Sequence, residues 1–368
     1  MKKHIFISDY LSNRGGYKAS RNNIFFLKKK KKNSIIYDLN SLKNKKISLY
    51  KFFTYKFISF LIKKIFYNLE IPLTIPQFFS LIDVENNKNH YYHIHYAYLI
   101  FNYDYIKKNP KSKFIIYIYD EWWLNSVHHF EKKNKYFWED VIKEKKIDLL
   151  LQENVTVVCS TQFIFDKVNN FKKKNIFKQI YYIDWRKWKP KNKKKSRAKF
   201  FLDQKLFYIL FIARSGSENT RKGGHYLKQI SKKLLKYKNI KFLILGQYNL
   251  EKVKNKFCSN IELISLDKDE DLVDLYSSVD LNLTLSIQEN LPYSILESLS
   301  CGVPNISFDT GGCCEILSNG YNGYLIKKKN LQQVKRNIFK CVKKNMKKNS
   351  RASIKQIKFK NFDKFLNS

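Results

Sequence analysis

Short apolar segments that alternate with longer helical stretches constrain the fold of this chain more than any other feature of its sequence. Continuous apolar strands separated by helices are typical of parallel sheets that are covered on both faces. Two such sets predict an α/β chain with two doubly wound domains. The ten predicted strands are His4–Ser8, Ser34–Asp38, His93–His95, Phe114–Tyr119, Thr156–Cys159, Phe207–Ile212, Lys241–Leu245, Ile261–Ile264, Leu281–Leu285 and Asn305–Phe308.

The length of the chain also favours two domains. It has 368 residues, whereas a single hydrophobic core stops growing at roughly 250–300 residues. The stretch Lys187–Arg197 is polar, contains a proline and has no apolar period, which is typical of a linker. We therefore expect a first domain over residues 1–187 and a second domain over residues 188–348.

The formal charge of +40 allows two interpretations. Lysine is spread over the whole sequence, which favours solvated faces and loops with no partner. The same charge would also attract an anionic lipid surface. No helix-turn-helix, zinc-finger or RNA-recognition signature accompanies the charge, so a nucleic-acid partner is not expected.

The segment 49–67 interleaves aromatic side chains with lysines. One interpretation is an amphipathic helix packed on the first domain. The other is a helix that lies in a membrane interface, which would place the chain peripherally on the inner face of the plasma membrane. No run of about 18 apolar residues predicts a spanning helix. The N-terminus lacks the apolar core of a signal peptide, so a cytoplasmic location is expected.

The cysteines and acidic residues do not predict a metal centre. None of the six cysteines forms a CxxC pair, and no histidines cluster beside them, so neither a zinc site nor a disulfide framework is expected. Asp267 and Asp269 have the spacing of a D-x-D metal motif. They directly precede a predicted helix, however, where acidic residues act as caps.

Two glutamates eight positions apart follow the ninth predicted strand. Pro292 suits the first turn of a helix, and Gly302 and Pro304 suit its end, which places Glu289 in a loop and Glu297 on the helix. The two carboxylates then span at most roughly 12 Å. This distance fits a ligand with two hydroxyl-rich ends joined by a diphosphate, which the helix N-terminus would hold. The alternative is a surface helix with two unrelated glutamates.

The residues around these glutamates resemble the signature of the family-4 glycosyltransferases of the GT-B architecture. The run from Glu289 to Leu317 contains Glu-Asn-Leu-Pro, Cys-Gly-Val-Pro and Gly-Gly-Cys-Cys-Glu-Ile in the family's order, and Asn322-Gly-Tyr-Leu follows. The version with Glu-Asn-Leu-Pro is similar to enzymes that build bacterial surface polysaccharides. The resemblance covers nearly the whole chain. It implies two Rossmann-like domains facing each other across a cleft, with a last helix, about 349–368, completing the first domain.

The resemblance implies the retaining transfer of a hexose-type sugar from a nucleotide-sugar donor to a glycan or lipid-linked glycan acceptor. It implies neither a cofactor nor a metal. The catalytic residues that it implies are Glu289 and Lys222. The donor-binding residues that it implies are Gly15, Gly16, Arg214, Arg221, Lys222, Glu289, Asn290, Leu291 and Glu297. The acceptor-binding residues that it implies are His95 and Asp120.

Two of these groups have a clear physical reason. Gly15 and Gly16 let the backbone approach the donor diphosphate and the acceptor closely. A cationic pair is needed because the departing diphosphate gains negative charge as the glycosidic bond breaks. Lys222 matches one member of that pair, and both Arg214 and Arg221 are candidates for the other.

One departure from the family pattern leaves other functions open. Tyr119 stands where relatives usually have a histidine that is credited with a contact to the transferred sugar. A degenerate, non-catalytic GT-B protein that binds nucleotide or membrane is therefore an alternative. A non-retaining transferase or a sugar-nucleotide epimerase is a second one, although the spacing of the two glutamates disfavours it. His95 is equally compatible with a buried core histidine.

Overall fold

The computed structural model describes residues 2–9, 17–31, 33–38, 41–42, 81–98, 100–126, 129–130, 137–213, 220–246, 258–266 and 271–357. These residues belong to two compact units that divide between Tyr182 and Ile183. Each unit contains a parallel six-stranded sheet with helices in the connections. The expected α/β class with two parallel sheets is confirmed.

The first unit contains the apolar strands that were predicted in the first half of the chain. Its strands are β1 (Lys3–Ile7), β2 (Ser34–Tyr37), β3 (His90–Ile94), β4 (Lys113–Ile118), β5 (Val155–Cys159) and β6 (Ile176–Lys178). Its described helices are α1 (Tyr17–Lys30), α2 (Tyr105–Lys108), α3 (Phe137–Leu151) and α4 (Gln162–Asn169). The strands lie in the order β2-β1-β3-β4-β5-β6, and all neighbours are parallel.

The second unit repeats this plan with a different strand order. Its strands are β7 (Phe207–Ile212), β8 (Ile240–Leu245), β9 (Ile261–Ile264), β10 (Leu281–Thr284), β11 (Asn305–Phe308) and β12 (Gly323–Ile326). Its described α-helices are α5 (Lys193–Lys199), α6 (Gly224–Leu234), α7 (Leu272–Ser278), α8 (Tyr293–Ser300), α9 (Leu331–Lys343) and α10 (Lys347–Lys355). The parallel strands lie in the order β12-β11-β10-β7-β8-β9.

The apolar core of the second unit lies between its sheet and two of its helices. Side chains of β7, β8 and β10 pack against Leu227 and Ile230 of α6 and against Val334 and Ile338 of α9. These helix positions are spaced by three or four residues, so each helix presents one apolar stripe to the sheet. Burial of such stripes fixes the helices on the sheet and leaves the carboxyl ends of the strands for polar loops.

All ten predicted strands are present, with ends that differ by up to a few residues. The strands β6 and β12 were not predicted. Both lie at the edges of their sheets. A short edge strand has one neighbour and one exposed side, so its sequence carries a weaker apolar signal than a central strand.

The predicted linker Lys187–Arg197 is helical in its second half. This part of the stretch enters α5, whose first turn is capped by the Asn192 side chain, which accepts a hydrogen bond from the backbone N–H of Lys195 at 3.1 Å. The helix carries no apolar period because ionic contacts hold it in place. Apolar periodicity could therefore not reveal it.

The buried guanidinium of Arg197 fixes α5 to the rest of the unit. It is 3% exposed and donates to the carboxylate of Asp280 at 2.8 Å. It also donates to the carbonyl oxygens of Ser278, Asp203 and Gln204 at 2.9, 3.1 and 2.8 Å. A charge this deeply buried is stabilised only when it is paired and hydrogen-bonded, as it is here.

The C-terminal segment is described only in part. The helix α10 packs against α8, and Arg351 donates to the carbonyl oxygens of Trp185 and Trp188 within the second unit. Residues from 358 onward lie outside the described part of the chain. The expectation that a helix at about 349–368 completes the first domain therefore stays a prediction.

Several other predictions also fall on residues that are not described. These are the glycine pair Gly15 and Gly16, Arg214, the segment 49–67, and Asp267 with Asp269. Among the described residues, no helix is both long and apolar enough to cross a membrane. Within the same ranges no group of three or more His, Cys, Asp or Glu side chains could hold a metal ion, and the metal-free reaction stays a prediction.

Replacement of Arg197 tests the role of the ionic contacts. We expect Arg197→Met to lower the free energy of unfolding by about 1–3 kcal/mol, because three carbonyl oxygens lose their donor and Asp280 keeps only Lys193 of its two cations. The midpoint of urea unfolding, followed by tryptophan fluorescence, measures this loss. The control is Lys195→Met, an exposed position on the same helix, where the change should stay within about 0.5 kcal/mol. Equal midpoints in the two variants would contradict the assignment.

Candidate active site

The candidate site of the second unit lies where the order of its strands reverses. The chain places β8 and β9 on one side of β7 and then β10, β11 and β12 on the other. Ligands of open parallel sheets bind outside the carboxyl ends of the strands at such a point. A small cleft lies there, lined by Ile212 at the end of β7, Thr284 at the end of β10, Lys222, Pro292 and Ser294.

A glycine brings Lys222 into this site. Gly223 has a φ of 75°, and a Cβ atom on it would lie 2.0 Å from the carbonyl oxygen of Leu285, just after β10. Only glycine allows this approach of the two backbones. The backbone N–H of Ile287 also donates to the carbonyl oxygen of Arg221 at 2.9 Å. The turn that carries Arg221 and Lys222 is therefore docked directly on the loop that carries Glu289.

The carboxylate of Glu289 contacts both cations through the same oxygen. The Arg221 guanidinium donates to its Oε2 at 3.0 Å, and the Lys222 ammonium also bonds Oε2. Arg221 additionally donates to the carbonyl oxygen of Gln288 at 3.0 Å. The Glu289 side chain is 13% exposed, whereas the two cations are 26% and 24% exposed. The cations are thus reachable from solvent while the carboxylate that holds them is nearly covered.

The two cations keep Glu289 ionised. Burial by itself would raise the pKa of this carboxyl group. The charges of Lys222 and Arg221 and the hydrogen bonds from both side chains act in the opposite direction and hold the pKa below its ordinary value. Glu289 is therefore a carboxylate at neutral pH, and it can only accept hydrogen bonds.

A second glycine holds the Glu289 loop from its other side. Gly311 has a φ of 55°, and a Cβ atom on it would lie 2.1 Å from the carbonyl oxygen of Glu289 and 2.4 Å from that of Asn290. The next residue, Gly312, donates its backbone N–H to the Asn290 carbonyl at 2.6 Å. The side chains of Asn290 and Leu291 are buried. The Gly-Gly pair therefore packs backbone against backbone and fixes the residues that precede α8.

The helix α8 begins and ends as predicted. Pro292 caps it from an extended conformation, one position before its first helical residue, and Gly302 closes it with a φ of 78°. Glu297, in the middle of the helix, is 3% exposed and accepts a hydrogen bond from the hydroxyl of Tyr276 at 3.0 Å. The predicted sequence of strand, loop and helix is confirmed, and it carries both glutamates on one continuous stretch.

The predicted acceptor residues lie in the first unit, at the carboxyl end of its sheet. His95 directly follows β3, and its backbone N–H donates to the carbonyl oxygen of Ile7 in β1 at 3.0 Å. The strand order reverses between β1 and β3, so His95 lies at the switch point of this sheet. Its Nδ1 lies 2.6 Å from the hydroxyl of Tyr119, which follows β4.

Asp120 makes a separate set of contacts. Its Oδ2 accepts a hydrogen bond from Nδ1 of His129 at 2.7 Å, and its Oδ1 accepts one from the backbone N–H of Trp122 at 3.0 Å. A histidine that donates to a carboxylate through Nδ1 is held in one orientation. No hydrogen bond joins His95 to Asp120 among the described residues.

The structure brings together some of the predicted residues and adds others. It assembles Arg221, Lys222 and Glu289 and places Asn290 and Leu291 behind them. It adds Gly223, Gly311, Tyr276, His129 and Asn23. The glycines were visible in the sequence as part of the family signature. The contacts of Asn23 carry no sequence signal, because they join residues up to 159 positions apart.

The ion-paired carboxylate of Glu289 should make the free energy of unfolding fall as the solution becomes acidic. The pKa of Glu289 is lower in the folded than in the unfolded chain, so the unfolded chain binds more protons in acid. The stabilisation is therefore present at neutral pH and is lost as the pH falls through the folded-state pKa. We expect Glu289→Gln to lower the free energy of unfolding by about 1–3 kcal/mol at pH 7, with a smaller difference from wild type below pH 4. Urea titrations at several pH values measure this, and a constant difference would contradict it.

The two glycines with positive φ separate steric from conformational effects. Gly311 faces two carbonyl oxygens, whereas the nearest atom to a Cβ on Gly320, with a φ of 76°, would lie 3.9 Å away. Both alanine variants carry the conformational strain. We expect Gly311→Ala to be less stable than Gly320→Ala by about 1–3 kcal/mol, because of the added overlap. Thermal unfolding compares them, and equal losses would show that the loops can separate without cost.

The second unit is similar in sequence to a known protein family. A sequence profile of the family described as "Glycosyl transferases group 1" matches residues 192–359. The N,N'-diacetylbacillosaminyl-diphospho-undecaprenol alpha-1,3-N-acetylgalactosaminyltransferase of Campylobacter jejuni is 31% identical over 91 residues, which are 23% of this chain and 24% of that enzyme. The similarity thus spans about a quarter of that relative's length.

Solved structures match the whole chain in fold. A glycosyltransferase from Rickettsia africae is 17% identical and has a TM-score of 0.66, over 100% of this chain and 98% of that one. Anabaena HepE in complex with UDP is 12% identical and has a TM-score of 0.67, over 96% of this chain and 95% of that one. Residues 192–359 thus resemble the group 1 glycosyltransferases, and the two parallel sheets of the chain match the GT-B fold of the solved structures.

Proposed function

We propose that this protein is a retaining glycosyltransferase that moves a hexose-type sugar from a nucleotide-sugar donor to a glycan or lipid-linked glycan in the synthesis of a surface polysaccharide. The observation that carries the proposal is the contact of Arg221 and Lys222 with Glu289 at the switch point of the second sheet. Two cations beside one buried carboxylate suit a ligand that is both a diphosphate and a polyol.

In this proposal Arg221 and Lys222 contact the leaving diphosphate. In the reaction the bond between the anomeric carbon and the diphosphate oxygen breaks, and its electron pair stays on the diphosphate. Arg221 and Lys222 stabilise this growing charge, and they are about a quarter exposed, so a bound diphosphate can reach them. The name of the HepE structure states that HepE binds UDP, which supports a uridine diphosphate sugar as the first donor to try.

Glu289 serves both the cations and the sugar. Its contacts with Arg221 and Lys222 use Oε2, and no described residue bonds Oε1. That second oxygen can accept hydrogen bonds from sugar hydroxyls while the first keeps the cations oriented. Glu297, held by Tyr276 on α8, would accept from the ribose hydroxyls at the other end of the donor.

The first unit would present the acceptor through His95 and Asp120. The acceptor hydroxyl attacks the anomeric carbon on the face that the diphosphate leaves, so the configuration is retained and no enzyme nucleophile is required. The name of the Campylobacter jejuni relative describes transfer to a lipid-diphosphate-linked sugar, which supports an acceptor of this kind. A location at the cytoplasmic membrane face through segment 49–67 belongs to the same proposal.

Replacement of Lys222 tests the reaction. Turnover of UDP-, GDP- and ADP-sugars is followed by release of the nucleoside diphosphate, and binding is followed by thermal shift. We expect Lys222→Ala to lower kcat by about 10²–10³, because a donor to the leaving charge is lost. Lys228→Ala, an exposed lysine on α6, is the matched control and should keep wild-type turnover. Equal activity of the Lys222 variant and wild type would contradict the proposed site.

Analysis of the same reaction mixture distinguishes a retaining transferase from a non-retaining one and from a non-catalytic nucleotide-binding protein. NMR of the product gives its anomeric configuration, and an α-linked product from an α-linked donor supports retention. Inversion would replace the retaining mechanism with a different transferase. A thermal shift with a nucleotide sugar but no turnover in any mixture would favour a nucleotide-binding protein without catalysis. No shift with any donor would contradict the proposal altogether.

A further inference from the structure

The imidazole of His95 has one ring nitrogen engaged and one without a partner. The side chain is 1% exposed, and its Nδ1 lies 2.6 Å from the hydroxyl of Tyr119. Its Nε2 is buried and has no hydrogen-bond partner among the described residues. Native structures rarely leave a buried polar atom unsatisfied, because its lost hydrogen bonds to water are not replaced. An unpartnered nitrogen at the switch point of the first sheet therefore points to a ligand.

A chain of hydrogen bonds sets the direction of the contact between Tyr119 and His95. The backbone N–H of Tyr182 donates to Oδ1 of Asn23 at 2.7 Å, which fixes the orientation of the Asn23 amide. Nδ2 of Asn23 then donates to the hydroxyl oxygen of Tyr119 at 3.0 Å. While its oxygen accepts from Asn23, the Tyr119 hydroxyl can donate its own proton to Nδ1 of His95, which is an acceptor of suitable geometry.

This direction determines where His95 carries its proton. Burial lowers the pKa of His95 well below its ordinary value, so the imidazole is neutral at physiological pH. A neutral imidazole has one N–H, and an Nδ1 that accepts a hydrogen bond leaves that proton on Nε2. The ring is further held by stacking on Tyr117, with centroids 4.1 Å apart and planes 8° apart.

We propose that Tyr119 is a positioning residue that fixes His95 as an Nε2–H donor to a hydroxyl oxygen of the acceptor sugar. The nature of this ligand rests on the proposed function, whereas the position of the proton does not. A histidine in this state donates a hydrogen bond and takes no proton from the attacking hydroxyl. Tyr119 thus acts through His95 and touches no substrate itself.

The neighbouring histidine on the same strand shows what a fully satisfied ring looks like. His93 uses both nitrogens, with Nδ1 3.0 Å from the hydroxyl of Tyr117 and Nε2 2.9 Å from Nδ1 of His4. His93 is as buried as His95 and has the same kind of tyrosine partner. The pair of His93 and Tyr117 therefore supplies a matched control for the pair of His95 and Tyr119.

The position of the proton is measured on the full chain with ¹⁵N-labelled histidine. Long-range ¹H–¹⁵N correlation spectra distinguish the two tautomers, and the spectrum of His95→Gln assigns the His95 signals. We expect the Nε2–H form in wild type. Tyr119→Phe removes the donor to Nδ1 and should produce a mixture of tautomers or the Nδ1–H form, while Tyr117→Phe should leave His95 unchanged.

Three outcomes would overturn the proposal. The first is an Nδ1–H form of His95 in wild type, which needs no variant to detect. The second is an unchanged His95 tautomer in Tyr119→Phe. The third is an equal change in Tyr117→Phe, which would reveal a general response of the sheet. A complete loss of transferase activity in the assays above would contradict the proposed function and would leave this measurement intact.

The ligand is tested with simple glycosides as probes. Methyl α-D-glucoside and methyl N-acetyl-α-D-galactosaminide are titrated in the presence of UDP, and the Nε2–H resonance of His95 is followed. We expect it to move on binding, and His95→Leu to weaken glycoside binding about tenfold by ligand-observed NMR, as the loss of one buried hydrogen bond implies. His95→Gln keeps an N–H donor and should lose less. A stationary resonance with both glycosides would overturn the assignment of a sugar hydroxyl.

Discussion

The carboxylate of Glu289 holds two cations from a different loop, and the geometry of the site depends on this contact. Arg221 and Lys222 come from the turn after β7, whereas Glu289 comes from the loop after β10. Without a shared counter-charge, two adjacent cations would repel each other and leave the site. The two close glycine contacts, at Gly223 and Gly311, bring the three side chains within bonding distance. Backbone packing thus creates the electrostatic arrangement.

Both units place their polar groups at corresponding positions of their sheets. In each, the strand order reverses beside the first strand, and the functional side chains follow the strands on either side of that point. The second unit gathers charges there, with Arg221, Lys222 and Glu289. The first unit places the buried His95 and Tyr119 there, and Asp120 follows Tyr119 in the chain. One architecture therefore carries a cluster of charges in the second unit and a buried pair of histidine and tyrosine in the first.

The central strands and the Glu289 loop could be predicted from the sequence. The edge strands β6 and β12, the helix α5 and the long-range contacts could not, each for a different physical reason. The strands β6 and β12 were not found, because β6 has only three residues and β12 begins at Gly323, so neither carries an uninterrupted apolar run long enough to predict a strand. The helix α5 depends on the pairing of Arg197 with Asp280, 83 positions away, and no local pattern reports such a contact. The link from Asn23 to Tyr119 is likewise long-range. The choice of Arg221 as a partner of Glu289 also required the structure.

The sharing of single carboxylates by several cations has a consequence for how this protein can change during evolution. The chain has 71 lysines and arginines but only 31 aspartates and glutamates. Asp280 binds Lys193 and Arg197, Asp274 binds Lys191 and Lys199, and Glu289 follows the same rule. At these three carboxylates, loss of one cation leaves the acid with another, whereas loss of the acid takes an ionic partner from two cations at once. At these three positions the ion pairs therefore constrain the scarce acidic residue more than either of its basic partners.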